Sequence, residues 1–305
     1  MSRRALIGHG VAIFAVVLWG NTFIATRVLL ESLTAFEIMF FRFIMAYAAL
    51  WIIHPRFKKP TDIKEELLFL VTGLFGVTFY QITENTALQY STASNVGLLV
   101  SVSPIITAVG IRYLNVPGKK EQFSYMFIVG CLVAMTGIFL VMFNGHFVVE
   151  INPFGDILAL LAAFLWGIYS ILLKMVIDKG YSVFYYTRKM FFYAILAMLP
   201  MMIFMPITTT TDTLLQPVVL LNLLYLGLGV SGLGFIAWSI VVEYLGAIKS
   251  SPYNYLIPLV TIISASIILG ERITVFIIGG TVLILVGVYI SNLMPNRLKS
   301  ERRYK

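Results

Sequence analysis

Residues 5–30 read ALIGHGVAIFAVVLWGNTFIATRVLL, an apolar run with a single charged residue, Arg27, near its end. A helix needs about 20 apolar residues to cross the hydrocarbon core of a bilayer. The run follows Ser2-Arg3-Arg4, a basic start that is also typical of secretory signals. It is longer than the apolar part of a cleaved signal and has no small-residue cleavage site, so we interpret it as a membrane anchor.

Similar apolar runs continue along the chain of 305 residues, which is 59% hydrophobic and only 12% charged. Soluble domains are near half apolar and a quarter charged. Because backbone amides in lipid must bond within their own segment, and because the runs lack the alternation of barrel strands, the fold class is all-α. We predict a polytopic membrane protein with ten transmembrane helices, at residues 5–30, 35–53, 66–89, 92–113, 123–143, 154–177, 183–206, 217–242, 247–269 and 273–294.

Most of the 22 Lys and Arg residues fall on one side of this predicted topology. Basic residues resist translocation, so that side is expected to be the cytoplasm and both termini are expected to be cytoplasmic. The net charge of +8 comes from these loops and the tail. We therefore expect contacts with membrane lipids and no nucleic-acid partner. The basic residues on this side are Arg3, Arg4, Arg56, Lys58, Lys59, Lys64, Arg112, Lys119, Lys120, Lys174, Lys179, Lys249, Arg297, Lys299, Arg302, Arg303 and Lys305.

Few residues offer metal or cofactor chemistry. The single cysteine, Cys131, lies in a predicted span, which excludes an intramolecular disulfide and a cysteine metal cluster. His9, His54 and His146 lie near span ends without the paired spacing of a metal site. No glycine-rich phosphate loop is present. We expect no metal, no cofactor and no enzymatic activity.

The two halves of the chain repeat the same landmarks at separations of 146 to 154 residues. With five predicted spans in each half, the second half enters the membrane upside down, and we expect inverted repeats at residues 1–146 and 147–305. Inverted repeats have two packings that open to opposite faces, with substrate bound between them. The paired landmarks are Trp19-Gly20 with Trp166-Gly167, Arg42-Phe43 with Arg188-Lys189, Tyr90-Ser91-Thr92-Ala93 with Tyr244-Leu245-Gly246-Ala247, Pro104 with Pro258, Gly130 with Gly280, and Gly137 with Gly287.

The chain contains the motifs Trp19-Gly20-Asn21-Thr22-Phe23, Arg42-Phe43, Asn85-Thr86-Ala87-Leu88-Gln89-Tyr90, Ala93-Ser94, Pro104, Pro258 and Leu269-Gly270-Glu271-Arg272-Ile273-Thr274. Together these motifs resemble the EamA-type members of the drug/metabolite transporter superfamily, over almost the whole chain. The resemblance implies a ten-helix carrier of the cytoplasmic (plasma) membrane, often an amino-acid or metabolite exporter, with a cavity lined by helices 1, 3, 4, 6, 8 and 9. The first half reads Ile-Arg-Tyr-Leu-Asn at 111–115, where the family often has a pair like Gly270-Glu271, so the first half lacks that glutamate.

Ionisable residues within spans cost roughly 2.5 to 3.5 kcal/mol each at a helix centre, so each needs a partner, a cavity or a route to the interface. Glu84 either binds a substrate ammonium group, accepts a coupling proton, or is a structural carboxylate that is paired with Arg42 or hydrogen-bonded across helices. Arg42 and Arg188 lie at similar depths from opposite faces. They either snorkel to the headgroups or act as gates, and Lys189 is expected to snorkel.

Polar and aromatic side chains within the spans complete the candidate site. Each either faces substrate or serves packing and interhelical hydrogen bonds. Polar groups beside prolines in corresponding spans, Ser103-Pro104 and Tyr253-Asn254 before Pro258, indicate helix breaks of the kind that mark transporter binding sites. The substrate-binding candidates are Trp19, Asn21, Glu84, Asn85, Asn95, Ser103, Trp166, Tyr169, Trp238, Tyr253 and Asn254, and the coupling or gating candidates are Glu84, Arg42 and Arg188.

The leading functional hypothesis is a secondary transporter that exports amino acids or related small metabolites by alternating access. One alternative is a multidrug or organic-cation efflux carrier, in which ring faces hold the cation. Another is a channel or lipid-handling protein without carrier activity, although channels generally show rings of identical residues. Glycines in the fifth and tenth spans predict close helix packing. They leave the oligomeric state open, and a monomer satisfies the predicted architecture.

Overall fold

The computed structural model of the chain describes residues 3–55, 62–91, 93–113, 125–143, 152–269 and 274–293. Every regular element within these ranges is helical, so the all-α prediction is confirmed for them. The elements are α1 (Arg3–Leu29), α2 (Ala35–Ile53), α3 (Ile63–Tyr90), α4 (residues 93–113), α5 (Tyr125–Phe143), α6 (Pro153–Ile177), α7 (Val183–Met201), a short helix (Thr211–Leu215), α8 (Pro217–Leu245), α9 (residues 247–269) and α10 (Val275–Ser291).

Five of these helices, α1, α2, α3, α6 and α8, are long and apolar enough to cross a membrane. The apolar parts of α4, α5 and α10 are shorter. Large apolar side chains such as Phe14, Ile157 and Leu221 are exposed on the surface of the long helices, as expected where a surface faces lipid tails. Each predicted span overlaps a helix of the described residues, whereas the number of membrane crossings stays a prediction.

Local hydrogen bonds set several helix ends. Thr34 begins α2 with a capping box, in which its hydroxyl accepts the Glu37 N–H at 3.2 Å and the Glu37 carboxylate accepts the Thr34 N–H at 2.8 Å. Asn152 caps α6 by accepting the Gly155 N–H at 3.2 Å. α8 ends at Gly246, whose φ of 86° is a conformation that glycine adopts without the strain of a side chain.

Regular α-helix is interrupted in both halves of the chain. α3 contains a π-helical stretch, Leu74–Phe79, and α8 contains another, Tyr225–Leu233. α4 has a turn at residues 101–102, and α9 contains the 3₁₀ segment Ser251–Leu256. The prediction of irregular helix beside the two matched prolines is thus confirmed. The π-helical stretches were not predicted, although each lies in a run that contains glycine.

The helices α5 and α10 pack against each other through glycines. A Cβ atom on Gly137 would lie 2.6 Å from the Gly280 carbonyl oxygen, and one on Gly287 would lie 2.6 Å from the Gly130 carbonyl oxygen. Only glycine lets the two backbones approach this closely. The predicted close packing is confirmed, and this face of α10 is covered by α5 within the chain.

We expect Gly137→Val to destabilise the protein by about 1–3 kcal/mol, because the new side chain would overpack against the α10 backbone. The matched control is Gly279→Val, since a Cβ atom on Gly279 would have no neighbouring atom within 4 Å. The measurement is thermal unfolding of purified protein in detergent. Equal melting temperatures for the two variants would contradict the packing described for α5 and α10.

Candidate functional site

Aromatic rings from α1, α3, α6 and α8 meet in the core of the bundle. Trp19 contacts Trp166 with ring centroids 5.6 Å apart and planes at 83°, and it contacts Trp238 at 5.2 Å. Tyr80 lies 4.8 Å from Trp166, and Phe235 lies 6.2 Å from Trp19. The three tryptophans are all more than nine-tenths buried. The structure therefore brings together three site candidates that the sequence identified on three separate helices.

Only some of the polar atoms in this aromatic cluster have hydrogen-bond partners among the described residues. The Trp19 indole N–H donates to the Val230 carbonyl oxygen, in the π-helical stretch of α8, at 3.3 Å. The indole N–H groups of Trp166 and Trp238, and the hydroxyl of Tyr169, are buried without a hydrogen-bond partner among the described residues. An unpaired buried polar group costs about 1–3 kcal/mol. A polar ligand or water that pairs with these groups would be stabilised here.

Glu84 lies beside this cluster on α3, where its carboxylate accepts a hydrogen bond from the Tyr80 hydroxyl at 2.5 Å. Both side chains are at least nine-tenths buried. The neighbouring Asn85 is also buried, and its amide donates to the Ala35 carbonyl oxygen of α2 at 3.5 Å, so this side chain joins two helices. Within the described ranges no three His, Cys, Asp or Glu side chains group as metal ligands.

Arg42 of α2 is 1% exposed, so the interpretation that it snorkels to the headgroups is wrong. Its Nε donates to Ser231 Oγ at 2.8 Å, and its Nη1 donates to Gln81 Oε1 at 3.1 Å. Glu84 interacts with Arg42 electrostatically, but no salt bridge joins the two residues in the described part of the chain. A buried guanidinium needs close polar partners. Here Ser231 and Gln81 supply them in place of the predicted carboxylate, which is bonded to Tyr80.

Arg188 and Lys189 of α7 also have partners inside the protein. Arg188 is 5% exposed and donates to the His54 carbonyl oxygen at the end of α2, where a cation is favourable. Lys189 forms an ion pair with Glu66 of α3, and Glu66 also accepts a hydrogen bond from Tyr193. Carbonyl and carboxylate oxygens of neighbouring helices pair with both basic residues. Snorkelling is therefore wrong for the buried Arg188, whereas it stays a prediction for Lys189, which is partly exposed.

The regular hydrogen bonding of α1 is interrupted at Asn21, whose φ and ψ are −98° and 3°. Side chains of neighbouring helices bond to carbonyl oxygens beside the break. The Tyr225 hydroxyl donates to Leu18 and the Thr261 hydroxyl donates to Gly20. Asn21 Oδ1 is buried without a partner in the described ranges. The break thus adds an unpaired hydrogen-bond acceptor, the Asn21 side-chain oxygen, two residues after Trp19.

The remaining predicted residues lie on α4 and α9. Ser103 is buried where α4 resumes after its turn. Tyr253 forms a hydrogen bond with His9 of α1, whereas Asn254 Oδ1 is buried without a partner among the described residues. Asn95 belongs to the first part of α4, but its side chain lies outside the described residues.

Sequence reasoning missed four residues of this region: Tyr80, Gln81, Ser231 and Phe235. Tyr80 precedes Glu84 by four residues on the same helix, a spacing that places two side chains together and that was available as a signal. Ser231 is 189 residues from its partner Arg42, so no local pattern indicates the contact.

We expect Tyr80→Phe to destabilise the protein by about 1.5–3 kcal/mol, because the Glu84 carboxylate would lose its hydrogen-bond donor while staying buried. Tyr90→Phe is the control, since Tyr90 lies ten residues further along α3 and is half exposed. Thermal unfolding in detergent measures both variants. A Tyr80→Phe protein as stable as the Tyr90→Phe protein would show that the hydroxyl contributes nothing to folding.

A model of a family described as the EamA-like transporter family matches residues 6–143 and 153–293. An uncharacterized transporter of Archaeoglobus fulgidus is 26% identical over 293 residues, covering 93% of this chain and 96% of the relative. The uncharacterized transporter YdfC of Bacillus subtilis is 26% identical over 298 residues, or 97% and 93% of the two chains.

Another relative, a probable terminal-alkyne amino-acid exporter of Streptantibioticus cattleyicolor, is 25% identical over 287 residues, covering 92% of this chain and 91% of that protein. A solved crystal structure superposes with a TM-score of 0.76 at 18% identity, covering 96% of this chain and 99% of the other. This likeness concerns the fold alone.

Proposed function

The chain belongs to the EamA-like transporter family, and from that premise we propose that it is a secondary carrier of the cytoplasmic membrane that exports an amino acid or a related small metabolite by alternating access. The observation that carries the proposal is the buried aromatic cluster with unpaired polar atoms, formed by helices of both halves of the chain. The excess of basic residues in the loops on one predicted side supports cytoplasmic termini.

Two inverted repeats provide the two packings that alternating access uses, and the contacts of matched residues support ten helices arranged in this way. Residues related by an inverted repeat meet reciprocally at its two-fold axis. Gly130 contacts Gly287 while its matched residue Gly280 contacts Gly137, the match of Gly287. Trp19 also contacts its own match, Trp166.

The helices that pack beside the two matched tryptophans are also related by the repeat. A Cβ atom on Gly20, next to Trp19, would meet Val260 of α9. A Cβ atom on Gly167, next to Trp166, would meet Ile106 of α4. Because α4 and α9 occupy equivalent places in the two halves, these contacts favour a pair of inverted repeats over a single irregular bundle.

The charges beside the aromatic cluster suit a zwitterion. Arg42 uses two of the five N–H groups of its guanidinium for Ser231 and Gln81, which leaves donors for a substrate carboxylate. The Glu84 carboxylate, beside the ring of Tyr80, can accept a hydrogen bond from the substrate ammonium group. The rings of Trp166 and Trp238 would hold an apolar side chain. An amino acid combines these three parts.

Counterflow in proteoliposomes tests the carrier activity. We expect unlabelled amino acids inside the vesicles to drive saturable uptake of a labelled one. Arg42→Gln should lower the rate at least about tenfold, because a charged hydrogen bond to substrate is lost. The same substitution at Arg27, which is exposed at the end of α1, should leave the rate unchanged.

Size-exclusion chromatography establishes that both variants are folded, so that a lower rate reports binding. Counterflow driven only by tetraethylammonium would favour the organic-cation carrier instead, and a flux that does not saturate would favour a channel. Either result overturns amino-acid export.

Glu84 is also proposed to accept the coupling proton, because it is a buried acid with a neutral hydrogen-bond partner. We expect amino-acid transport by the unmodified chain to respond to a pH gradient. Glu84→Gln should abolish that response while a slower counterflow continues, since an amide cannot take up the proton but its oxygen still accepts a hydrogen bond from the substrate ammonium group. Glu31→Gln, at an exposed position after α1, is the matched control. A Glu84→Gln protein that keeps the pH response would remove Glu84 from the coupling step.

A further inference from the structure

Three hydroxyl groups lie together between α6, α7 and α8. Tyr169 and Tyr186 are neighbours, and the Tyr186 hydroxyl faces Ser239. All three side chains are at least 99% buried. No hydrogen bond of normal length and angle ends at any of the three oxygens in the described part of the chain, although the Tyr186 and Ser239 hydroxyls face each other. We call Tyr169, Tyr186 and Ser239 the hydroxyl pocket.

The composition of the hydroxyl pocket indicates what kind of group it can bind. Its three members are uncharged and can each donate or accept a hydrogen bond. Folding buries these hydroxyls without a well-formed hydrogen bond, and a buried polar group of this kind usually pairs with a ligand or an ordered water. Glu243, at the end of α8, is the charged residue that acts on Tyr186, and it is exposed to solvent. The pocket is therefore suited to a neutral polar group.

A wall of aromatic rings joins the hydroxyl pocket to Glu84. The Tyr169 ring lies 5.1 Å from Trp166, and the Trp166 ring lies 4.8 Å from Tyr80, whose hydroxyl bonds to Glu84. The ring centres of Tyr169 and Tyr80 are therefore at most about 10 Å apart, which is the sum of these two distances. The two ends of the wall differ, since one carries charged groups and the other only hydroxyls.

We propose that the hydroxyl pocket is a second binding subsite, which selects amino acids whose side chain ends in a neutral hydrogen-bonding group. The inference rests on the proposed function, in which Arg42 and Glu84 bind the backbone charges of the substrate. A phenolic amino acid such as tyrosine has its charged groups and its hydroxyl at opposite ends of an apolar ring, within the length of the wall. The terminal hydroxyl would pair with Tyr186 and Ser239.

The test compares L-tyrosine with L-phenylalanine, which differ only in that hydroxyl. Binding to purified protein and inhibition of counterflow are measured for both. We expect L-tyrosine to bind about tenfold more tightly, the usual value of one neutral hydrogen bond. Tyr186→Phe and Ser239→Ala should each reduce this preference to less than about threefold, mainly through weaker binding of L-tyrosine.

Tyr255→Phe is the matched control, because Tyr255 is equally buried and its hydroxyl is also unpaired within the described ranges, but it lies against Cys131 of α5. This variant should keep the tenfold preference. The ligand-free melting temperature should change little in Tyr186→Phe or Ser239→Ala, because neither hydroxyl forms a hydrogen bond of normal length and angle in the described part of the chain. If one of the two variants does not fold, the other still decides the result.

The possible outcomes separate the two proposals. Saturable transport of both amino acids with equal affinity would overturn the hydroxyl pocket and leave the proposed function intact. The pocket inference also fails if both variants keep the preference of the unmodified chain. A protein that neither binds nor exchanges any amino acid would overturn the proposed function and the subsite together.

Discussion

Backbone hydrogen bonds must be made inside the protein wherever the chain passes through hydrocarbon, because lipid tails offer no donors or acceptors. A continuous helix meets this requirement alone, whereas an interrupted helix depends on its neighbours. In this chain, side chains from other helices bond to carbonyl oxygens at the breaks and ends. Each of these bonds stabilises an interrupted or terminal part of one helix and also holds a neighbouring helix against it. The pairs are Tyr225 with Leu18, Thr261 with Gly20, Trp19 with Val230, and Arg188 with His54.

Two kinds of contact join the helices of the bundle. α5 and α10 meet backbone to backbone through glycines, and such a contact has little freedom to change. The candidate binding and gating residues all lie on the other helices, where interrupted segments and long polar side chains make the contacts. Side-chain contacts of that kind can be exchanged at modest cost. In the proposed alternating access, α5 and α10 would therefore act as a scaffold for the helices that carry the binding residues.

Much of this architecture was predictable because lipid restricts the choices. Apolar length predicts helices, matched landmarks predict the repeat, and the three deep tryptophans indicated a shared site. The sequence did not indicate that Arg42 and Arg188 are buried, since a long basic side chain near a helix end is equally able to reach the headgroups. Burial depends on helix rotation and on distant partners. Ser231 meets Arg42 only because the π-helical stretch of α8 lies beside α2.

The two halves share a backbone pattern but differ in polarity. On the first half, Arg42, Gln81 and Glu84 provide charged and amide groups beside the aromatic cluster. On the second half, Tyr186 and Ser239 provide only hydroxyls. An inverted repeat with identical sides would bind a substrate equally well in either orientation. Because the two sides differ in polarity, the substrate binds more tightly in one orientation than in the other. The difference in binding free energy is that between a charged and a neutral hydrogen bond, about 1 kcal/mol for each contact. The proposed carrier would therefore hold its substrate in one orientation while the site opens to one face and then to the other.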